Sequence, residues 1–348
     1  MRERPGPKPR AYRLVGLRRV WGVGKAGAAR KLASAAAYGG GGLSLLGAAL
    51  YGLLTFEAKS ARRVIGEASS ERPPDPSGWY GRGRPGPAIK IAILGDSSAA
   101  GYGVDRVEET PGAVLASGVA DLADRRVHLR GYAVVGAMSS DLGAQVDRAL
   151  PTAPDVAVIL VGANDVTHIV LPAASVRHLS EAVRRLHDAG VAVLVGTCPD
   201  LGTVKPIPPP LKQVARSWSR RLAAAQAIAV VEEEGVAVSL GSILGPDFEA
   251  APALLFGPDR FHPSAEGYRA LAEVLVPSAL NALGFGEDEP QPDRGEGTMP
   301  VATAAVRSAK TAGTELGDKK GLWVEVRRRA RLRSVPEAPS DDEVVSAG

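Results

Sequence analysis

The sequence predicts an α/β protein in which helices cover both faces of a parallel β-sheet. Five apolar runs rich in β-branched residues follow residue 88, and each is short enough to be a single strand. Between them, apolar residues recur at the three- and four-residue spacing of amphipathic helices. Strands that alternate with helices form βαβ units and a parallel sheet. The predicted strands are residues 89–94, 127–135, 156–161, 191–196 and 236–240, and the predicted helices include residues 173–189, 211–234 and a last one from about 264 to 283.

The composition is that of an ordinary globular protein with unevenly distributed charge. Apolar residues make up 45% of the 348 residues, and the formal net charge is +4. Residues 1–31 contain ten lysines and arginines against Glu3 alone, so the basic excess is one N-terminal segment and not a nucleic-acid-binding surface. The single cysteine, Cys198, excludes an internal disulfide and a cysteine-rich metal site. No other cluster has metal-ligand spacing, so neither a metal nor another cofactor is expected.

The chain divides into five segments by composition. Residues 1–32 are basic, and residues 33–56 form an uncharged, largely apolar segment. Residues 57–87 are rich in Arg, Pro and Gly, which is typical of a linker. The α/β domain is predicted over residues 88–285. The charged remainder, residues 286–348, is predicted to be a disordered tail.

The apolar segment, residues 33–56, has the length of a single membrane-spanning helix. Basic residues in front of it favour a cytoplasmic N-terminus, so we expect a signal anchor in the cell membrane with the catalytic domain outside the cytoplasm. The alternatives are a cleaved signal peptide, which would give a secreted protein, and a buried core helix.

Polar residues follow the predicted strands at the points where the strands end. Ser97 follows the first strand in the stretch IAILGDSSAAG, Gly136 follows the second strand and Asn164 the third. Asp259 and His262 come just before the last helix. Because ligands bind beyond the carboxyl ends of parallel strands, we expect these residues to meet in one site.

These residue types fit acyl transfer through a serine nucleophile. His262 would take the proton of the Ser97 hydroxyl, and Asp259 would hold the histidine ring. The backbone N–H of Gly136 and the side-chain amide of Asn164, together with the N–H of Ser97, would bind the oxyanion. Taken singly, each residue has a plainer explanation, such as a helix-start serine or a surface loop. Their order at successive strand ends is what indicates a site.

The same residues resemble the four signature blocks of the SGNH (GDSL) hydrolase family. The blocks are GDSS, the glycine of VGAMSSDL, GAND and DRFHP, and the resemblance spans about residues 89–283. It implies a flavodoxin-like three-layer αβα sandwich with a five-stranded parallel sheet, and ester hydrolysis without a metal. The family's nucleophile directly follows Gly-Asp, which selects Ser97 over Ser98. The residues that give the family its name are matched by Ser97, Gly136, Asn164 and His262, with Asp259 completing the triad.

The second signature block departs from the family pattern. The family commonly has Asn-x-Gly upstream of the block's glycine, whereas this chain has Tyr132, Ala133 and Val134 there. The departure puts a supporting hydrogen bond in doubt, but not the oxyanion donor. In the first block, Ser98 stands where an aliphatic residue is usual.

The sequence also suggests roles for several other residues. Asp96 is expected to stabilise the turn before Ser97 rather than to act as a catalyst, and it is also a candidate for the substrate pocket. His168, four residues after Asn164, is a candidate for the wall of the substrate pocket. The plain expectation for His178 and His187 is a solvent-facing position on a helix, and that for Cys198 is packing as a small apolar residue.

The sequence therefore predicts a serine esterase or lipase that acts on a small-molecule ester or on an acylated glycan or lipid. The alternatives are a carbohydrate O-acetyl esterase or acyltransferase acting on cell-envelope glycans through the same residues, and a catalytically inactive envelope-binding module. The loops between the blocks select the acceptor, so the natural substrate stays open at this point.

Overall fold

The computed structural model of the protein describes residues 72–285 completely. It also describes Leu50, residues 52–57 and Ser60, and the backbone of three strands beyond residue 297. The chain forms two units, Met1–Phe56 and Glu57–Gly348, and the description below concerns the second. None of the helices in these described ranges is long and apolar enough to cross a bilayer. The predicted anchor, residues 33–56, lies mostly outside the described residues and stays a prediction.

The centre of the domain is a parallel sheet of five strands, as predicted. Across the sheet the strands follow the order β3-β2-β4-β5-β6, which is the flavodoxin-like doubly wound order 2-1-3-4-5. A sixth strand, β1, pairs antiparallel with the edge strand β3. The strands within residues 72–285 are β1 (Gly78–Tyr80), β2 (Ile89–Gly95), β3 (Val127–Gly131), β4 (Val156–Leu160), β5 (Ala192–Gly196) and β6 (Val236–Val238).

Strand β1 lies in the segment that the sequence analysis assigned to a linker, residues 57–87. Trp79 stands opposite His128 on β3, and the two rings stack with their centroids 4.6 Å apart. The N–H of Gly131 donates to the Ser77 hydroxyl oxygen over 3.0 Å. The domain therefore begins before residue 88, and the linker assignment is wrong for this part of the chain.

Three further strands extend the sheet beside β6. They are β7 (Thr298–Pro300), β8 (Thr314–Asp318) and β9 (Trp323–Arg328). Strand β8 pairs antiparallel with β6 and with β9, and β7 pairs with β9. The prediction of a disordered tail over residues 286–348 is wrong for these three stretches, and the rest of that segment lies outside the described residues.

Helices cover both faces of the sheet, and the alternation of side chains along each strand explains why. On β2, Ile91 and Ile93 point into the core formed with the helices of residues 111–123 and 265–282. Ala92 and Leu94 point into the opposite core, formed with the helices of residues 142–149, 172–188 and 211–232. A strand buried on both faces is apolar at nearly every position, as β4 also is. The α-helices within residues 72–285 are α1 (Ser97–Ala100), α2 (Pro111–Ala123), α3 (Leu142–Ala149), α4 (Ala163–Thr167), α5 (Pro172–Asp188), α6 (Leu211–Glu232), α7 (Leu240–Ile243), α8 (Gly245–Ala250), α9 (Pro252–Leu255) and α10 (Ala265–Ala282).

One predicted strand is much shorter than its apolar run. The run 127–135 predicts nine strand residues, but β3 ends at Gly131. The N–H of Val134 then donates to the carbonyl of Gly95, and the N–H of Ala137 donates to the carbonyl of Val134, so the chain turns across the end of the sheet. Val134 and Val135 are exposed in this turn, and their apolar character does not reflect burial in a strand.

Candidate active site

Ser97 lies at the start of α1, in a tight turn directly after β2. The turn requires glycine at position 95, because φ there is +130° and an added Cβ would lie 1.8 Å from the Leu160 carbonyl oxygen. Asp96 caps α1, with its Oδ1 accepting the Ser98 N–H over 2.9 Å. Burial raises the pKa of Asp96 to about 6. The contacts of Asp96 are those of the expected turn-stabilising residue.

Ser97, His262 and Asp259 form a continuous series of hydrogen bonds. The Oγ of Ser97 is 2.9 Å from Nε2 of His262, and Nδ1 of the same ring is 2.6 Å from Oδ2 of Asp259. The other oxygen of Asp259 accepts the backbone N–H groups of Phe261 and His262, both over 3.0 Å. Burial raises the pKa of Asp259, but the hydrogen bonds from the His262 ring and from these backbone groups outweigh that effect, so its pKa lies below its ordinary value.

Two aromatic rings hold the imidazole of His262 in place. Tyr102 lies with its ring centroid 4.6 Å from that of His262, and Phe261 makes an edge-on contact at 5.0 Å. The buried hydroxyl of Tyr268 donates to the backbone carbonyl of Tyr102 over 2.6 Å and so ties α10 to this wall. Ser97 and His262 are 7% and 9% exposed, which leaves them sheltered but open on one side.

The loop that carries Gly136 is tied to α4, the helix that carries Asn164. Gly136 has φ of +83°, and no atom lies within 4 Å of where its Cβ would be, so the backbone there borders open space. The Nδ2 of Asn164, at the start of α4, donates to the carbonyl of Ala137 over 3.0 Å. The carboxylate of the next residue, the buried Asp165, accepts the Ser139 N–H at 3.1 Å from Oδ2. Two residues of α4 thus hold the loop that carries Gly136.

The remaining predicted residues lie outside the bonded series of Ser97, His262 and Asp259. His168 is exposed at the end of α4, and its Nδ1 lies 2.7 Å from the carbonyl oxygen of Asn164. His178 and His187 are exposed on α5, as expected. Cys198 is buried, and burial raises the pKa of its thiol well above the ordinary value, so it packs as a small apolar residue.

Two residues beside the site were not singled out in the sequence. Gln145 on α3 and Gln226 on α6 are fully buried, and their amides bond to backbone groups at the ends of β2, β4 and β5. A single glutamine inside a helix gives no local signal of such a role. Only the pairing of strand ends shows which backbone groups need a side-chain partner.

A hydroxyl, an imidazole and a carboxylate bonded in series at the carboxyl edge of a parallel sheet form the arrangement of α/β serine hydrolases. The model of the GDSL-like lipase/acylhydrolase family matches residues 93–270 of the chain, about half of its length. The chain belongs to this family and is an ester-hydrolysing enzyme. Within the part of the chain that the structure describes, no group of three or more His, Cys, Asp or Glu side chains is placed to hold a metal ion.

Known relatives and solved structures resemble the chain to different extents. GDSL-like esterase Rv1075c from Mycobacterium tuberculosis is 42% identical over 264 residues, which covers 72% of this chain and 83% of that protein. The protein in the crystal structure of TesA has 21% sequence identity to this chain, and the two structures superpose with a TM-score of 0.45. The match covers 56% of this chain and 99% of that one. The crystal structure of the lipase/acylhydrolase from Enterococcus faecalis is 20% identical with a TM-score of 0.46, and covers 56% and 96%.

Proposed function

We propose that the enzyme hydrolyses carboxylic esters through a covalent acyl-enzyme on Ser97. The observation that carries the proposal is the bonded series of Ser97, His262 and Asp259, with distances of 2.9 and 2.6 Å. A serine hydroxyl becomes an effective nucleophile when a neighbouring base takes its proton during attack, and the imidazole is placed to do so. Asp259 fixes the ring with its proton on Nδ1 and leaves Nε2 as the base.

In the first half of the reaction, Oγ of Ser97 attacks the ester carbonyl carbon while its proton moves to Nε2 of His262. The carbonyl π electrons move to the oxygen and give a tetrahedral oxyanion. When this collapses, the bond to the alcohol oxygen breaks and the leaving alcohol takes the proton from His262. The acyl group is then bound to Ser97.

In the second half, water takes the place of the alcohol. Its oxygen attacks the acyl carbon as His262 accepts one of its protons, and collapse of the second tetrahedral species breaks the bond to Oγ. Ser97 recovers its proton from His262, and the carboxylic acid leaves. Each half-reaction uses the same base in both directions, so the site returns to its starting protonation state.

Gly136 and Asn164 support the oxyanion in this proposal. The amide nitrogen of Asn164 carries two hydrogens, and its bond to Ala137 engages one of them. The other is available to the oxyanion, beside the backbone N–H groups of Gly136 and Ser97. Donors that are already fixed stabilise charge that appears only in the transition state.

Exposed apolar side chains close in sequence to Gly136 and Asn164 support esters with an apolar acyl or alcohol group. Val134 and Val135, directly before Gly136, are exposed, and so are Ile169 and Leu171, which follow Asn164 by five and seven residues. Apolar side chains on the loop that carries Gly136 and on the segment that follows α4 would contact a hydrocarbon chain of the ester. A carbohydrate O-acetyl esterase or an acyltransferase acting on glycans would use the same residues and remains the second candidate.

Two serine variants test the proposed nucleophile with p-nitrophenyl acetate. Ser97→Ala should lose all esterase activity and all labelling by a fluorophosphonate probe. Ser98→Ala is the matched control, because Ser98 bonds to the Asp96 carboxylate and lies outside the series that joins Ser97, His262 and Asp259. It should keep activity within about threefold. Activity in the Ser97→Ala variant equal to that of the wild type would refute the assignment. A wild-type enzyme that the probe does not label would instead support an inactive binding module.

A panel of substrates then tests the proposed ester class. The panel consists of p-nitrophenyl esters of rising acyl length beside acetylated xylose oligomers. A kcat/KM that rises from acetate to longer acyl groups supports these apolar side chains as a contact surface. A preference for the acetylated sugar over every simple ester would favour the second candidate.

A further inference from the structure

Gln145 fills a gap in the backbone hydrogen bonding of the strand that delivers Ser97. Strand β3 ends at Gly131, which is paired with Ile93, so no residue of β3 accepts the Gly95 N–H. The side chain of Gln145 takes that place. Its Oε1 accepts the Gly95 N–H over 2.7 Å, and its Nε2 donates to the Gly95 carbonyl over 2.9 Å.

The same carbonyl links Gln145 to the second signature loop. The Gly95 oxygen also accepts the N–H of Val134 over 3.0 Å, and Val134 lies two residues before Gly136. One buried amide therefore bonds to both peptide groups of Gly95. These groups lead into the turn that carries Ser97, and one of them also holds the start of the loop that carries Gly136. Ser97 lies only two residues after Gly95.

Gln226 makes a comparable pair of bonds between the ends of β4 and β5. Its Oε1 accepts the Cys198 N–H over 2.7 Å, and its Nε2 donates to the Val161 carbonyl over 3.0 Å. Val161 lies three residues before Asn164. Between them, Gly162 leaves room for the amide, since a Cβ at that position would lie 3.1 Å from Nε2 of Gln226.

Each amide does more than satisfy a buried backbone group. Any acceptor would satisfy the Gly95 N–H, and any donor would satisfy its carbonyl. A planar amide that bonds to both fixes the distance and the orientation of the peptide groups together. Catalytic side chains must be held to within about 0.5 Å, so the peptides that lead into them need such support.

We propose that Gln145 and Gln226 are positioning residues of this active site, Gln145 for Ser97 and Gln226 for Asn164. The inference rests on the proposed function of those two residues. Neither glutamine contacts the reacting atoms, so each acts through the backbone segment that it holds.

Leucine substitutions remove both bonds at nearly constant volume. Gln145→Leu and Gln226→Leu should each lower kcat for p-nitrophenyl acetate by between about tenfold and a hundredfold, with KM within twofold of the wild type. Gln145→Leu should also slow fluorophosphonate labelling by the same factor as kcat. Val146→Ala, a buried neighbour on α3, and Gln213→Leu, an exposed glutamine on α6, are the controls and should keep kcat.

Glutamate substitutions separate positioning from mere support of the fold. A protonated carboxyl at position 145 can accept from the Gly95 N–H and donate to its carbonyl, as the amide does, whereas a carboxylate can only accept. The ratio of Gln145→Glu kcat to wild-type kcat should therefore rise as pH falls from 8 to 5.5. Asp96 titrates in both proteins, so its effect largely cancels in the ratio.

The outcomes distinguish this inference from the proposed function. Suppose that the melting temperature of Gln145→Leu is no higher than that of Val146→Ala, but its kcat stays within twofold of the wild type. The amide then supports only the fold, and the inference fails. If the leucine variants do not fold, a Gln145→Glu ratio that stays flat with pH overturns it. An active Ser97→Ala enzyme would overturn the proposed function instead, whatever the glutamine variants do.

Discussion

The side-chain amide of Asn164 donates to the backbone carbonyl of Ala137 over 3.0 Å, and this bond joins α4 to the loop that carries Gly136. The two proposed oxyanion donors come from different strand ends, so without such a bond each loop could move separately. The bond sets their relative position before any substrate binds. Preorganised donors of this kind are the largest electrostatic contribution in many acyl-transfer enzymes.

Replacing Asn164 by alanine removes both the donor and the bond to Ala137. We expect kcat for p-nitrophenyl acetate to fall on the order of 10²- to 10³-fold, because one oxyanion donor typically contributes that much. Thr167→Ala, at the exposed end of the same helix, is the control and should keep kcat within threefold. A loss below threefold in Asn164→Ala would show that its amide is not an oxyanion donor.

Asp259→Asn tests the orientation of the His262 ring. The variant keeps an oxygen for the two backbone N–H groups, but it turns an NH₂ group toward Nδ1 of His262. The ring must then carry its proton on Nε2, facing Ser97, where it cannot act as a base. We expect kcat to fall on the order of 10³- to 10⁴-fold with an unchanged fold, measured as initial rates beside circular dichroism spectra. A loss of less than tenfold would contradict this role for Asp259.

The strand ends and the residues that follow them could be read from the sequence because both signals are local. An apolar run that stops at Gly-Asp-Ser-Ser shows where β2 ends, and Asp259 and His262 are close enough in sequence to bond within one loop. Their meeting in one site then follows from the rule that parallel strands end at one edge of the sheet. The structure brings Ser97 and His262 together as that reasoning expects.

The features that the sequence analysis missed depend on distant partners. The three residues of β1 form a strand only because β3 offers them an edge, and nothing in residues 57–87 predicts that edge. Val134 and Val135 have strand-forming side chains, but the bond from Val134 to Gly95 draws the chain out of the sheet. Gln145 has a role only because β3 stops short. In each case the contact that decides the structure is made with backbone groups dozens of residues away in the sequence.

Asp96 is predicted to lower the stability of the enzyme at neutral pH. Its folded-state pKa of about 6 lies above the unfolded value of about 3.9, so the folded state holds the proton more tightly. The free energy of unfolding therefore falls as pH rises through this window, by up to roughly 3 kcal/mol. Asp96→Asn keeps an oxygen for the Ser98 N–H and cannot ionise, so it should be more stable than the wild type at pH 7 and closer to it at pH 4.

Urea unfolding of both proteins at pH 4 and pH 7 measures this difference. Asp141→Asn is the matched control, because Asp141 also accepts a backbone N–H near a helix start but is exposed, and it should show no such gain. A wild-type enzyme as stable at pH 7 as Asp96→Asn would mean that the ionised Asp96 is compensated by its surroundings.

Gly95 is predicted to be the least replaceable glycine of the nucleophile turn. A Cβ there would lie 1.8 Å from the Leu160 carbonyl oxygen, which is backbone and is fixed by the pairing of β2 with β4. Gly95→Ala must separate the two strands at the end that carries Ser97. We expect it to lose about 3 kcal/mol or more of stability, together with the esterase activity.

Gly143 provides the comparison, because it lies on α3 with no atom within 4 Å of its missing Cβ and no strained φ. Gly143→Ala should gain about 0.5–1 kcal/mol from helix propensity alone and keep full activity. Melting temperatures and kcat of the two variants separate a requirement for glycine from a general sensitivity to added volume. A Gly95→Ala enzyme that melts within a few degrees of the wild type would mean that β2 and β4 can part at this point without cost, and that the turn does not depend on their close approach.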